Sequence, residues 1–301
     1  MVCISNVGNK YIGAIETAYG TSPTPFTAVD LGHIQKITVK EEDNTEKLTS
    51  LNAGHLNAMF EDGLYWANVT IETKVSKASL PVLLKLALGA RDDAVDYTVT
   101  SDPTIQSLSL KFFYQGTKIG LLNGLVVKDF DISASKDESI SMTLNCIAKK
   151  MSKVTETLSV TTNTGTPMSW LDTSITIGEV PSVLNSFNLS GNWNVTDNEG
   201  RGIEAVGAGS RRLITTVLRH RLDINGSYEV EVNDTQEFGY TEDRADEAIT
   251  VTMSRGTDNS HIFTLANTRS FARSMDMTMD TTKKAISYDY EALDVTVVGD
   301  L

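Results

Sequence analysis

The sequence predicts a mainly β protein: two related antiparallel β-sheet or barrel units in tandem, each with long loops, the first with a packed α-helix. Three observations carry this. Apolar and polar residues alternate over many short stretches, which is the pattern of strands with one covered and one wetted face. One hairpin pattern occurs twice along the 301 residues. A single segment, near residue 80, has a convincing helical stripe.

The alternation is plain in four places. Val69, Ile71 and Val75 alternate with Asn68, Thr70, Glu72 and Lys74, and Ile140, Met142, Leu144 and Cys146 with Ser141, Thr143 and Asn145. Later, Phe187, Leu189, Trp193 and Val195 alternate with Asn188, Ser190, Asn192 and Asn194, and Tyr228, Val230 and Val232 with Glu229, Glu231 and Asn233.

The repeated hairpins are FDISASKDESISMTL and MDMTMDTTKKAISYDY. Overlaying Asp131 on Asp276 and Ile140 on Ile286 lengthens the second turn by one residue. Phe130, Ile132 and Ala134 then match Met275, Met277 and Met279, while Ile140, Met142, Leu144 and Cys146 match Ile286, Tyr288, Tyr290 and Ala292. A slip of one residue would invert the faces, so agreement in both strands argues for duplication.

Each half also has a strand, a long excursion and a returning strand. The first runs from Ile34–Lys40 through EEDNTEKLTSLNAGHLNAMFEDG to Leu64–Val75, and the second from Ser186–Thr196 through DNEGRGIEAVGAGSRR to Leu213–Val232. Long loops of this kind are commonly functional. Ser79 as cap, Pro81 in the first turn, a stripe of Leu80, Leu83, Leu84, Ala87 and Leu88, and a terminating Gly89 define the helix. The corresponding DTQEFGYTEDRADEA is polar and makes at best a short helix. The expected organisation is an extended arm over 1–30, a first unit over 31–155 and a second over 156–301.

Composition narrows the function. The formal charge of −13 disfavours a surface that grips nucleic acid. The run LPVLLKLALGA is too short to span a bilayer, and no signal peptide is expected at the N-terminus. Cys3 and Cys146 cannot make a disulfide framework, and Cys146 reads as a buried small hydrophobe. The histidines are scattered singly, and GAGSRR lacks the ending of a phosphate-binding loop. No catalytic residue, metal ligand or cofactor is expected.

The opening YIGAIETAYGTSPTP, with Glu16, Tyr19, Gly20 and Thr21 before a Pro-bearing stretch, resembles the N-terminal arm of tail tube proteins of tailed phages and related prophage particles. The broader pattern of arm, strand, long loop, returning strand, helix and terminal hairpins is similar to that family over residues 10 to 298. The resemblance implies a virion tail protein, assembled in the host cytoplasm, that forms stacked rings around a passage for viral DNA. Its partners would be copies of itself and other tail proteins, without stable DNA binding or membrane insertion. Tandem units imply trimeric rings of pseudo-sixfold symmetry in preference to hexamers.

In such a barrel the polar faces line the lumen: Thr70, Glu72, Asp131, Ser133, Ser141, Thr143 and Asn145, then Glu229, Glu231, Asp276, Thr278, Ser287, Asp289 and Glu291. Reversing charge at Glu229 and Glu231 is expected to slow genome passage. Contacts between subunits or rings would fall to Tyr19, Gly20, Thr21, Asn52, Gly54, Arg201, Gly207, Gly209, Arg211 and Arg212. The competing reading is a two-domain β-sandwich binding module or capsid-decorating protein.

Overall fold

A computed structural model describes residues 10–299 apart from 44–45, 53–54, 62–63, 93–96, 102–105, 115–116, 155–164, 178–179, 196–202, 206–211, 215–218, 220, 232–246, 255–259 and 276–284. The first half contains β1 (Lys10–Ile15), β2 (His33–Asp43), β3 (Glu46–Asn52), β4 (His55–Glu61), β5 (Leu64–Lys74), helix α1 (Leu80–Leu88), β6 (Gly89–Asp92), β7 (Tyr97–Ser101), β8 (Leu108–Tyr114), β9 (Thr117–Ser135), β10 (Ser141–Ala148) and β11 (Lys150–Ser152). A short 3-10 turn, η1 (Trp170–Asp172), opens the second half. It is followed by β12 (Thr173–Ile177), β13 (Val180–Asn192), β14 (Ile203–Ala205), β15 (Arg212–Ile214), β16 (Asp223–Glu231), β17 (Glu247–Ser254), β18 (Ser260–Met275), β19 (Ala285–Ala292) and β20 (Asp294–Gly299).

The alternating segments form strands with their apolar sets inward: Val69, Ile71, Met142, Leu144, Phe187, Leu189, Tyr228 and Val230 are all buried. In the second half the pairing order is β12–β17–β18–β19–β16–β13, and β12 also pairs with β13. That closes a six-strand antiparallel barrel. In the first half the order is β1–β8–β9–β10–β5–β2. There the arm bridges from β1 toward β2, touching β1 at Gly13↔Val29.

The long strand β9 couples the halves. Along one side it carries β10 and then β11. Along the other, its first part pairs with β8 and its last seven residues, Asp129 to Ser135, pair with Asn192 to Ser186 of β13. The outcome is a continuous run of eight strands, β2–β5–β10–β9–β13–β16–β19–β18. β18 is built likewise, with β19 and β20 along one side and β17 along part of the other. β20 also pairs with β7, adding a second seam between the halves.

Helix α1 is the sole α-helix among the described residues, and none of their helices is long and apolar enough to cross a membrane. Leu80, Leu83, Leu84, Leu86, Ala87 and Leu88 are buried, so the helix is enclosed more completely than the expected stripe. Gly89, at φ 109°, ends it and donates its N–H to the Lys85 carbonyl. The expected Ser79 cap is corrected: Ser79 Oγ accepts from Ser76 N at 2.8 Å and does not bond the helix's own N–H groups.

Two other expectations change. The long excursions contain hairpins: β3 pairs with β4, and β14 with β15. β15 then runs parallel to the start of β5, so the returning strand begins at Asp223 and not at Leu213. The residues 234–246 of the expected short helix lie outside the described residues, and Glu247 and Ala248 begin β17.

Candidate assembly surface and polar sheet face

Strand register, not proximity in sequence, assembles the polar residues on one face. Thr70 and Glu72 lie beside Asn145 and Thr143, and these beside Asp129 and Asp131. The face continues through Ser190 and Asn188 of β13, Asn225 and Ser227 of β16, and Glu291 and Asp289 of β19. Ser133, Ser141, Glu229 and Ser287 fall on the same face. Glu231 shares the register but is only 7% exposed, so its expected wetted position is corrected. Asp276 and Thr278 lie outside the described residues.

Cross-strand hydrogen bonds stitch this face together. Thr70 Oγ1 donates to Asn145 Oδ1 at 2.7 Å, and Asn145 Nδ2 to Asp129 Oδ1 at 2.5 Å. Asp131 Oδ2 accepts from Asn188 Nδ2 at 2.8 Å and Ser190 Oγ at 2.7 Å, directly across the seam between the halves. Glu229 accepts from Asn185 Nδ2 at 3.1 Å and Ser287 Oγ at 3.2 Å. Such bonds fix the side chains without apolar cover, leaving a patterned, water-compatible surface.

Its charge is uneven. On the first four strands Lys36, Lys40 and Lys74 accompany Glu42, Glu72, Asp129 and Asp131, with Lys36 and Glu72 paired at 3.0 Å. On β16, β19 and described β18 positions, Asp223, Glu229, Asp289 and Glu291 accompany Arg269. The second half therefore presents the more acidic strip. Asp129 and the β13 residues Asn188, Ser190 and Asn192 were absent from the expected lumen set; the alternation that marks β13 was their signal. Asp129 continues the two-residue period of Asp131 and Ser133, and the bulge at Lys128 shifts the period only on its N-terminal side.

The run of eight strands ends in two borders. β2 pairs only with β5 among the described residues, and β18 beyond Thr268 has β19 on just one side. Ile34, Ile37 and Val39 of β2 are half-buried. At comparable inward positions of β13, which has a neighbour on each side, Leu184, Phe187 and Leu189 are 4%, 1% and 1% exposed. Both strands carry a bulge at the same step, Gln35 in β2 and Asn185 in β13.

The arm is pinned to its own chain by Glu16. This buried carboxylate accepts from Gly20 N at 2.7 Å, Ser107 Oγ at 2.7 Å, Ser109 Oγ at 2.6 Å and Gly124 N at 2.8 Å. Gly124, at φ 67°, is a position where an added Cβ would press on Lys149 and Tyr19. Lys149 lies over the Tyr19 ring at 5.7 Å. Of the other expected contact loops, Asn52 ends β3 opposite His55 and Arg212 begins β15. Gly54, Arg201, Gly207, Gly209 and Arg211 lie outside the described residues.

Behind the face, residues from the second half hold the helix of the first. Trp193 Nε1 donates to the Ala87 carbonyl at 2.6 Å, and Arg219 Nη2 to Leu86 O at 2.7 Å and Val127 O at 3.1 Å. The guanidinium stacks 4.9 Å from the Trp193 ring, and burial pulls its pKa down to about 10. Sequence reading gave Arg219 no role, because its partners lie far away along the chain. Burial likewise pushes the Cys146 thiol up to about 12, with Arg219 opposing. Cys3 lies outside the described residues. Among the described residues no group of three or more His, Cys, Asp or Glu is arranged to hold a metal ion.

A family model described as phage tail tube protein matches residues 10–292. No curated protein matches the chain.

Proposed function

Because the chain belongs to the phage tail tube protein family, a structural family of the virion tail whose members assemble with themselves and with other tail proteins, we propose that three copies close into a ring and that rings stack into a tube for DNA. Each copy supplies two tube units in tandem, divided between residues 155 and 156. The observation that carries this reading is the pair of sheet borders that have no neighbouring strand among the described residues, together with a worked example of their junction inside one chain. β9 and β13 meet where the two halves meet. β18 and β2 occupy the corresponding places in the strand orders of their own halves, so the last part of β18 meets β2 of the next copy.

Closure removes two exposed edges that would otherwise pair indiscriminately. It also covers Ile34, Ile37 and Val39, as the internal seam covers Leu184, Phe187 and Leu189. The shared bulge sets Glu72 beside Glu229 in the two-unit correspondence, and the ladders then equate Met142 with Ile286. This differs by two residues from the sequence overlay. An even shift keeps every side chain on its face.

Size favours three copies. About 24 strands, spaced about 4.8 Å apart and tilted about 40°, close a wall roughly 50 Å across; about 48 strands would make it roughly 100 Å. The narrower wall guides a duplex. The hydrogen-bonded, acidic face lies inward, where it holds water and repels phosphates without binding them. Assembly takes place in the host cytoplasm, and end-completion proteins of the tail cap the tube.

Native mass measurement of the purified full chain tests the copy number. The expected ring is three times 32.8 kDa, about 98 kDa. A ring of six chains would overturn the tandem-unit assignment, and a chain that stays single at high concentration would overturn ring formation.

A further inference from the structure

Strand direction gives the sheet two dissimilar ends. From Val183 to Asn192, β13 extends about 30 Å. At the Val183 end lie the β9–β10 turn and η1, tied by Trp170 N donating to Glu138 O at 2.9 Å and by the Ser139↔Ser169 bridge. Within η1, Asp172 accepts from the Ser169 backbone N–H at 2.8 Å, so the turn is internally braced. Its tip is Leu171, 79% exposed. Asp137, Glu138 and Asp172 lie on these two turns with Lys136, three carboxylates to one ammonium.

The Asn192 end carries the counterpart. A groove of about 570 Å³ opens there, with Leu293 at its surface, the buried Ile224 and Ala292 behind it, and Arg221 and Arg269 beside Asp223 and Glu291. Leu293 is 69% exposed. Arg221 holds Asp223 at 3.2 Å while its side chain stays 78% exposed, leaving the guanidinium within reach of an incoming acid. Scattered apolar surface residues need no explanation. Here, however, the two most exposed leucines among the described residues mark opposite ends of one sheet, one on a braced acidic projection and the other beside the exposed guanidinium of Arg221.

We propose that these ends are the axial contact between copies of this chain: the η1 projection of one ring docks in the groove of the next, with Leu171 against Leu293 and with Glu138 facing Arg221. A head-to-tail contact between unlike surfaces does not close on itself and propagates as a filament. The proposal rests on the reading that copies form stacked rings, and it adds which surfaces stack and in which polarity. Opposite charges orient the approach, and the leucine contact excludes water at its centre.

The test uses the purified full chain, with polymerisation followed by sedimentation and rings and tubes counted in electron micrographs. Leu171→Asp should leave rings intact and raise the concentration needed for tubes by about tenfold or more. Glu138→Arg and Arg221→Glu should each impair stacking, and the two together should restore it to within about threefold of the parent. Tubes from Leu171→Asp at the parent concentration, or a double variant no better than the singles, would overturn the contact while leaving ring formation standing. Loss of rings themselves in these variants would make the surfaces lateral and equally overturn the assignment. If the parent forms neither rings nor tubes, the ring reading fails and this contact fails with it.

Discussion

Replacing Glu16 by Gln removes one charge and changes almost no volume. Each carboxylate oxygen of Glu16 accepts one backbone N–H and one serine hydroxyl: Gly20 and Ser107 on Oε2, Gly124 and Ser109 on Oε1. The glutamine oxygen can serve only one of these pairs. Its NH2 then faces a second backbone N–H, which cannot reverse its role, and a serine, which can. One buried N–H is left unsatisfied, and the remaining bonds lose their charge assistance. With bonds to charged groups contributing about 1.5–3 kcal/mol and an orphaned buried donor costing about 1–3 kcal/mol, the expected loss is about 4 kcal/mol. Urea unfolding of the dispersed chain measures it, with hydrogen exchange at Gly20 and Gly124 reporting release of the arm. A loss below about 1 kcal/mol with both amides still protected would refute the claim that this carboxylate anchors the arm.

Three further perturbations follow from the geometry. Burial pushes the Cys146 thiol from 9.0 to about 12, so between those values the folded chain keeps a proton that the unfolded chain has released; stability is full below pH 9 and falls by about 1 kcal/mol per unit above it. Urea unfolding at pH 8, 9 and 10 should show that slope in the parent and lose it in Cys146→Val. Arg219 has the opposite sign, and with a folded pKa of about 10 it begins to offset the loss only at the upper end of this series, so the slope is cleanest between pH 8 and 9 and just above. Arg219→Ala strips two bonds and a stacked ring from the end of α1 and should cost about 3 kcal/mol in the same assay, since the carbonyls it serves stay buried. Asp289→Lys with Glu229→Lys, on the acidic strip, should leave rings intact and slow DNA release from particles several-fold at low salt, with the effect shrinking as salt rises; unchanged release would remove the electrostatic role of the face.

The alternating residues made the faces legible. Thr70 and Glu72 point away from Val69 and Ile71, and this follows from chain geometry alone. Three kinds of feature were not legible. Bulges at Gln35, Lys128 and Asn185 reset the two-residue period, so each strand's alternation cannot be carried across them. The excursions hold short hairpins whose sequences mix polar and apolar residues without a clean period, so they read as loops. Long-range partners leave no local trace: Glu16 collects donors from Gly20, Ser107, Ser109 and Gly124, and Arg219 reaches Leu86 and Val127. The β9–β13 seam belongs to the same class. It joins segments separated by some fifty residues, which no local pattern connects.

The most direct measurement is a high-resolution reconstruction of the assembled full chain. Three chains per ring, β18 of each paired with β2 of its neighbour, and Thr70, Asp131, Asn188 and Asp289 facing the bore are the predicted result. A wall built from other strands, or one that turns those four side chains outward, would contradict the account.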